Sequence, residues 1–372
     1  MLTAGLDQGT STYDVVVLSE DQKDAKVVNE RSFSTLYVKA HPEAALGAVS
    51  SVEGKVDSAV LPSGFGVPLK TIEALTESDV FEMSLKKTEA EKSSLLRVID
   101  VFRRSGITCY LTPAVRHLST VPRVKKVNRI DMGTSDKVCS VALAVYSQVK
   151  KSGIKPRDSS FVLVELGSAF NSYVLVDGGE IVDGVGGSNC WLGMGARGSI
   201  DGEVAALSGY FTKEDAYSGG ALFLASAGAA GITPEELAAY AQSGSEPATL
   251  AAEAYIEGVM RDVGSLLCSA EVKPKEAFVS GRVSKIEYFT TKLGQRFSKS
   301  RFTSEMSLSH MNLLGSSAKE AALGAALIAN GLAGGSFSDI VDSLKLRDAS
   351  GSVLSDVILG ARAGKTYSAL KA

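Results

Sequence analysis

The feature that most limits what this chain can fold into is a short apolar run, an acidic residue, a glycine-bearing turn and a second apolar run, and the pattern occurs twice. The first copy is Met1-Leu-Thr-Ala-Gly-Leu-Asp-Gln-Gly-Thr-Ser-Thr-Tyr-Asp-Val-Val-Val-Leu18. Apolar runs on either side of such a turn describe a β-hairpin. Its tip gathers the Asp7 carboxylate, the hydroxyls of Thr10 and Ser11, and Gly9, which lets backbone N–H groups approach an anion. A nucleoside triphosphate with Mg²⁺ calls for that mixture, since amides and hydroxyls take phosphate oxygens and a carboxylate holds the metal through water. A surface hairpin with a polar turn is the competing reading.

The second copy is Phe161-Val-Leu-Val-Glu-Leu-Gly-Ser-Ala-Phe-Asn-Ser-Tyr-Val-Leu-Val176, with Glu165 as the acid and Gly167-Ser168 in the turn. Recurrence of a strand–turn–strand unit in each half predicts two similar lobes, which could face each other and grip a triphosphate. A length of 372 residues suits two domains. The polar stretch 152–160, with Gly153 and Pro156, is the natural boundary. The expected division is an N-terminal lobe at 1–152, a C-terminal lobe at 153–335, and an extension at 336–372 packing on the core.

Further elements follow from periodicity and punctuation. A third strand is expected over Lys26–Val38, a helix over Pro42–Val49, and a buried strand over Asp57–Leu61 that ends in Pro62-Ser-Gly-Phe-Gly66. Thr88–Arg104 and Val138–Val149 carry helical apolar spacing, with a strand at Ile107–Leu111 after Gly106. Gly179–Val182 continues the second hairpin, and Glu276–Ser280 is a strand that turns at Gly281 into a helix near Ser284. Gly219–Gly231 suggests a close-packed interior helix, too short to cross a membrane. Ser317–Gly335 is an Ala/Gly helix whose small side chains allow tight packing against another helix or a hinge.

The net charge of −3 offers no basic face for nucleic acid. Cys109, Cys139, Cys190 and Cys268 are widely spaced and form no metal-binding pair, and His41, His117 and His310 share no ligand spacing. Asp7 interrupts the N-terminus before an apolar signal core could form, so a cytoplasmic protein is expected.

With those residues laid out, the chain resembles the acetate/sugar kinase, heat-shock ATPase and actin superfamily, and within it a family of predicted butyrate kinases, an uncharacterised archaeal group. The resemblance runs from Gly5 to about Gly335. It implies an α/β fold of two duplicated ribonuclease H-like (actin-like ATPase) domains with an interdomain nucleotide cleft. Asp7-Gln-Gly-Thr-Ser11 is similar to the first phosphate motif, Glu165-Leu-Gly-Ser168 to the second, and Ser280-Gly281-Arg282 to the adenosine motif. Gly133-Thr-Ser135 and Arg197-Gly-Ser-Ile-Asp201 follow the order of an acetate kinase loop pair. Met132 and Asp136 stand where acetate kinases carry histidines, and Pro62–Gly66 lacks an arginine for a small carboxylate.

The implied activity is ATP-dependent phosphoryl transfer to a small carboxylate such as butyrate or acetate. A hydroxyl-compound kinase and an ATP-binding switch are the alternatives. ATP and Mg²⁺ are the implied cofactors, with Asp7 as the metal-holding residue. Gln8, Gly9, Thr10, Ser11, Gly167, Ser168, Ser280, Gly281 and Arg282 are the nucleotide contacts. Arg197 is the candidate for stabilising the transferring group, against an ordinary loop arginine. Asp131 and Asp136, with Lys137, are candidates to face the cleft as base or metal-orienting residues; function is favoured for Asp131, and capping of a helix for Asp136. Arg129 is either a substitute substrate arginine or the salt-bridge partner of Asp131. Trp191, in the glycine-rich run 184–198, covers an apolar group or belongs to the core. A small-molecule acceptor is the expected partner, with no nucleic acid and no membrane, and a homodimer is left open.

Overall fold

A computed structural model describes residues 1–21, 24–85, 89–228, 231–271 and 273–358. Its strands are β1 (Leu2–Gln8), β2 (Thr12–Asp21), β3 (Asp24–Ser34), β4 (Ser58–Leu61), β5 (Lys70–Thr71), β6 (Thr108–Leu111), β7 (Phe161–Leu166), β8 (Asn171–Asp177), β9 (Glu180–Val185), β10 (Glu276–Ser280) and β11 (Ser307–His310). They form two mixed sheets, ordered β3-β2-β1-β4-β6-β5 and β11-β10-β7-β8-β9. In the first, β1 and β2 are antiparallel while β1, β4 and β6 run parallel. In the second, β7 and β8 are antiparallel while β7, β10 and β11 run parallel. The duplication seen in the sequence is therefore a duplication of topology, with each hairpin supplying the central strand of its sheet.

The chain divides into two compact units. Among the described residues, the first comprises those of 1–159, 178–182 and 311–358; the second comprises those of 160–177 and 183–310. Segment 311–335, expected in the C-terminal span, groups with the first unit. The reason is its small side chains. A Cβ on Gly5 of β1 would lie 2.0 Å from the Ala322 carbonyl oxygen, and one on Gly324 would lie 1.8 Å from that of Cys139. The helix Glu320–Leu332 is buried along its whole length between β1 and the helix Ser135–Ser152. The hydroxyl of Thr3 donates to the Ala326 carbonyl (3.0 Å) and that of Ser58 to the Ala329 carbonyl (2.9 Å).

Three elements differ from the sequence expectation. The third strand stops at Ser34, whose hydroxyl accepts the Tyr37 N–H and caps a helix over Thr35–Ala40. Gly219–Gly231 holds only the five-residue helix Ala221–Ala225, in which Ala221 alone is buried. Gly219 and Gly228 adopt positive φ and break the run, and 229–230 fall outside the described residues. The helix at 88–104 is observed over Glu89–Arg103, and Thr88 is also outside the described residues. Within 336–358, Ile340, Val341, Leu344, Leu346, Val353 and Leu354 are buried, and 359–372 are not described. Among the described residues no helix is long and apolar enough to cross a membrane.

Candidate functional site

The β1–β2 register places Asp7 directly opposite Asp14, both buried. Like charges facing each other across a strand pair repel. The ammonium of Lys319 resolves the conflict, lying 3.1 Å from Asp7 Oδ2, 3.1 Å from Asp14 Oδ2 and 2.9 Å from the Thr12 carbonyl. It rests over the turn so closely that a Cβ on Gly9 would come within 2.3 Å of Nζ. Gly9 donates its N–H to the Thr12 carbonyl (2.9 Å), while Thr10 and Ser11 are exposed at the tip.

Beside this turn lies a cavity of about 160 Å³ at the carboxyl ends of the parallel strands β1, β4 and β6. Asp7 and Gln8 come from β1, Leu61 and Pro62 from the end of β4, Thr112 from the end of β6, and Thr134, Ser135 and Asp136 from the start of the helix Ser135–Ser152. Carboxyl ends of parallel strands are where open α/β sheets bind ligands. The expected capping role of Asp136 is corrected here: Thr134 is the N-cap residue, and Asp136 stands in the first turn, lining the cavity.

The two cavity carboxylates shift in opposite directions. Burial raises the Asp7 pKa, with Lys319 opposing and the Asp136 charge adding to the rise. Burial also works to raise Asp136. It is outweighed by the Lys137 ammonium 2.5 Å away and by the Thr134 hydroxyl, which leave Asp136 below its ordinary value. The helix N-terminus adds in the same direction. Burial lowers the Lys319 pKa, but Asp7 and Asp14 outweigh it and hold the ammonium charged. Cys139, at the cavity floor, is pushed up to about 12 by burial and is inert as a thiolate.

The remaining residues singled out in the sequence are distributed as follows. Asp131 is buried in the loop before that helix, its Oδ1 accepting the Gly133 N–H at 3.2 Å, and it does not line the cavity. The Arg129 carbonyl accepts from the guanidinium of buried Arg116, as does that of Lys126 at 2.7 Å.

In the second unit, Gly167 donates its N–H to the Phe170 carbonyl (3.0 Å), closing the turn that carries Ser168. Ser280 is buried and pairs in register with Glu165. Gly281 has φ +83°, and a Cβ there would come within 2.5 Å of the Leu166 carbonyl oxygen, so glycine is required by the backbone itself. Arg282 makes a two-pronged ion pair with Glu235 at 3.0 and 2.9 Å.

Arg197 is half-buried, its Nε directed at the Ser218 carbonyl (3.4 Å) and its guanidinium 5.8 Å from the Phe211 ring. The glycine-rich run packs on the second turn, Gly195 and Ala196 both donating N–H to the Ala169 carbonyl. Trp191 is about half exposed, its ring 4.3 Å from the Arg261 guanidinium and its backbone N–H given to Asp262 Oδ2 at 2.9 Å.

A family model described as "Protein of unknown function (DUF1464)" matches residues 5–359. The chain belongs to the DUF1464 family. No curated protein matches it in sequence. Among solved structures it is similar to the acetate kinase of Porphyromonas gingivalis (TM-score 0.59, 13% identity, 81% of this chain and 88% of that one). It is also similar to a propionate kinase of Francisella tularensis (TM-score 0.58, 13% identity, 87% and 98%). A third likeness is to a ROK family transcriptional regulator, a homolog of the E. coli MLC protein (TM-score 0.51, 10% identity, 93% and 80%). At these identities the likeness establishes the mixed α/β, actin-like ATPase fold.

Sequence reasoning did not bring Asp14 or Lys319 to this site, and for Asp136 it favoured a helix cap over a cleft-facing role. The signal for Asp14 was present, because a symmetric hairpin puts the seventh and fourteenth residues opposite each other. Where Asp7 was expected to hold Mg²⁺ through water, the structure places the Lys319 ammonium against the buried carboxylate. Among the described residues no group of three or more His, Cys, Asp or Glu is disposed to hold a metal ion.

Proposed function

We propose that the DUF1464 chain is an ATP-dependent phosphotransferase whose acceptor is a small hydroxyl compound. The lining of the cavity beside the β1–β2 turn carries the choice of acceptor. Two carboxylates and three hydroxyl side chains face it, and no lysine, arginine or histidine stands among its lining residues. Among these lining residues a carboxylate acceptor would meet carboxylates and no cation, since Lys319 and Lys137 are already engaged by Asp7 and Asp136. A hydroxyl can donate to either carboxylate.

In this reading the Asp136 carboxylate, held ionised by Lys137 and Thr134, accepts the hydrogen bond of the acceptor hydroxyl and orients it. The hydroxyl oxygen attacks the γ-phosphorus of ATP, the bond from that phosphorus to the bridging oxygen breaks, ADP leaves, and the hydroxyl proton passes to Asp136. Asp131 shapes the loop that presents Asp136. Gln8, Gly9, Thr10 and Ser11 are the phosphate contacts of the first unit. Gly167, Ser168, Ser280, Gly281 and Arg282 are the nucleotide contacts of the second, with Arg282 released from Glu235 or acting through its backbone. Arg197 is the proposed charge stabiliser. Mg²⁺ bound with the nucleotide would supply charge neutralisation during the transfer.

A second reading keeps the carboxylate acceptor, butyrate- or acetate-like. It is favoured by the order of Gly133-Thr-Ser135 and Arg197-Gly-Ser-Ile-Asp201 and by likeness of fold to acetate and propionate kinases. Transfer of labelled γ-phosphate to a panel of polyols, sugars and amino alcohols, run beside hydroxamate trapping with short-chain acids, separates the two. Phosphorylated hydroxyl product supports the proposal. Acyl hydroxamate formed only with acids refutes it in favour of the second reading. ATP binding without transfer to any acceptor points to a regulator.

A further inference from the structure

A buried pair of carboxylates at the tip of a phosphate-binding hairpin is where a divalent ion would be expected to sit. This chain brings its own cation to that place. Lys319 is 312 positions from Asp7 in sequence, yet its ammonium contacts Asp7, Asp14 and the Thr12 carbonyl together. The placement is fixed from several sides. Glu30 of β3 accepts hydrogen bonds from the hydroxyls of Ser316 and Ser317, pinning the segment just before Lys319. Ala322, one turn on, is seated against Gly5 with no room for a methyl group. A lysine anchored at both ends of its local segment is a fixed component of the turn.

We propose that Lys319 is the resident cation of the β1–β2 turn, replacing an Asp7-bound divalent ion and meeting the phosphate chain directly when nucleotide binds. The ammonium is a compact point charge with three donors, and the three oxygens it contacts hold it beside the turn whose tip carries the exposed Thr10 and Ser11. A Cβ on Gly9 would meet the ammonium at 2.3 Å, so a side chain there would displace the lysine. The part of this inference that concerns phosphate rests on the nucleotide-binding reading; the part that concerns the metal does not.

The two parts are tested separately on the full chain. Mn²⁺ binding is followed by electron paramagnetic resonance without nucleotide, in wild type, Asp7→Asn, Lys319→Arg, Lys319→Gln and the double variant Lys319→Gln/Asp7→Asn. Wild type and Lys319→Arg show no Mn²⁺ signal that depends on Asp7. Lys319→Gln gains a Mn²⁺ site at least about tenfold tighter than wild type, and Asp7→Asn in that background removes it. Asp7-dependent Mn²⁺ binding by the wild type overturns the proposal, as does a folded Lys319→Gln that gains no site. If Lys319→Gln fails to fold, the comparison of wild type with Asp7→Asn still decides.

In the second arm, calorimetry measures ATP binding with excess EDTA and with Mg²⁺. Wild type binds the two forms within about threefold of each other, and Lys319→Gln or Lys319→Arg weakens the metal-free form about tenfold or more. Wild type that binds ATP only with Mg²⁺ refutes the phosphate role. Failure to bind ATP in either form refutes the nucleotide reading, while the Mn²⁺ arm still reports on the lysine.

Discussion

Gly5→Ala tests whether the fold positions the site by backbone-to-backbone contact. The new methyl would sit 2.0 Å from the Ala322 carbonyl oxygen, 2.3 Å from the Ala326 nitrogen and 2.9 Å from the Ala325 carbonyl carbon, all main-chain atoms that cannot rotate away. Relief needs the helix Glu320–Leu332 to shift from β1 by on the order of 1.4 Å, an overpacking event of ~1–3 kcal/mol. That shift would stretch the buried bonds from Thr3 to Ala326 and from Ser58 to Ala329, each contributing about 1 kcal/mol net. The expected loss is therefore about 3–5 kcal/mol in the first unit.

Hydrogen exchange of amides in 320–332 reads this directly, with a rise of about a hundredfold to a few thousandfold. Emission of Trp191, the only tryptophan, follows the second unit, so the two units are read separately rather than as one transition. Gly47→Ala is the control. It lies in the helix Glu43–Val49 with no atom within 4 Å of its Cβ position, and it stabilises by ~0.4–1 kcal/mol through the unfolded chain. Should Gly5→Ala melt with wild type and leave helix exchange unchanged, the claim that this contact sets the position of Lys319 is wrong.

Two further outcomes are expected. Asp136→Asn lowers kcat about 10²- to 10⁴-fold with little change in affinity for ATP, checked by steady-state kinetics and calorimetry, and an effect confined to ATP affinity would remove Asp136 from the acceptor site. Asp262 gives a pH dependence in the second unit: burial raises its pKa to about 7, against a backbone hydrogen bond from Trp191 that lowers it. Between the unfolded and folded values the native state holds a proton that the unfolded chain has released. Stability of the second unit therefore falls as pH rises from about 4 to 7, by up to about 4 kcal/mol, and Asp262→Asn flattens the profile read from Trp191 emission melts.

Much of the fold was legible because the duplicated hairpin is a local pattern. Its strands alternate with punctuating glycines, and its repetition at a distance of about half the chain has one economical explanation, two sheets of the same plan. The interior helix expected at 219–231 failed for the opposite reason. Small apolar composition marks a segment that can pack tightly, but the same glycines adopt positive φ at Gly219 and Gly228 and stop the helix after five residues. In the helix Glu320–Leu332 a similar composition carries no positive-φ glycine, and there it does pack. Composition does not distinguish the two; backbone conformation does.

The site was less legible, and the choice between Asp131 and Asp136 shows why. Five positions apart in one loop-to-helix segment, both are acidic and both come before the apolar run that begins at Val138. One turns back on its own loop to accept the Gly133 N–H, and the other, in the first helical turn, lines the cavity. That difference depends on whether Thr134 or Asp136 ends the loop, a matter of one or two residues at a helix boundary, where sequence patterns are least exact. Lys319 is invisible for a different reason. Its significance lies wholly in the burial of Asp7 opposite Asp14, and no local signal ties a lysine before an Ala/Gly helix to a turn 312 residues earlier. The cation that pairs with this hairpin is thus encoded at the N-terminus of the helix that packs on its first strand, where only the folded register brings it to Asp7 and Asp14.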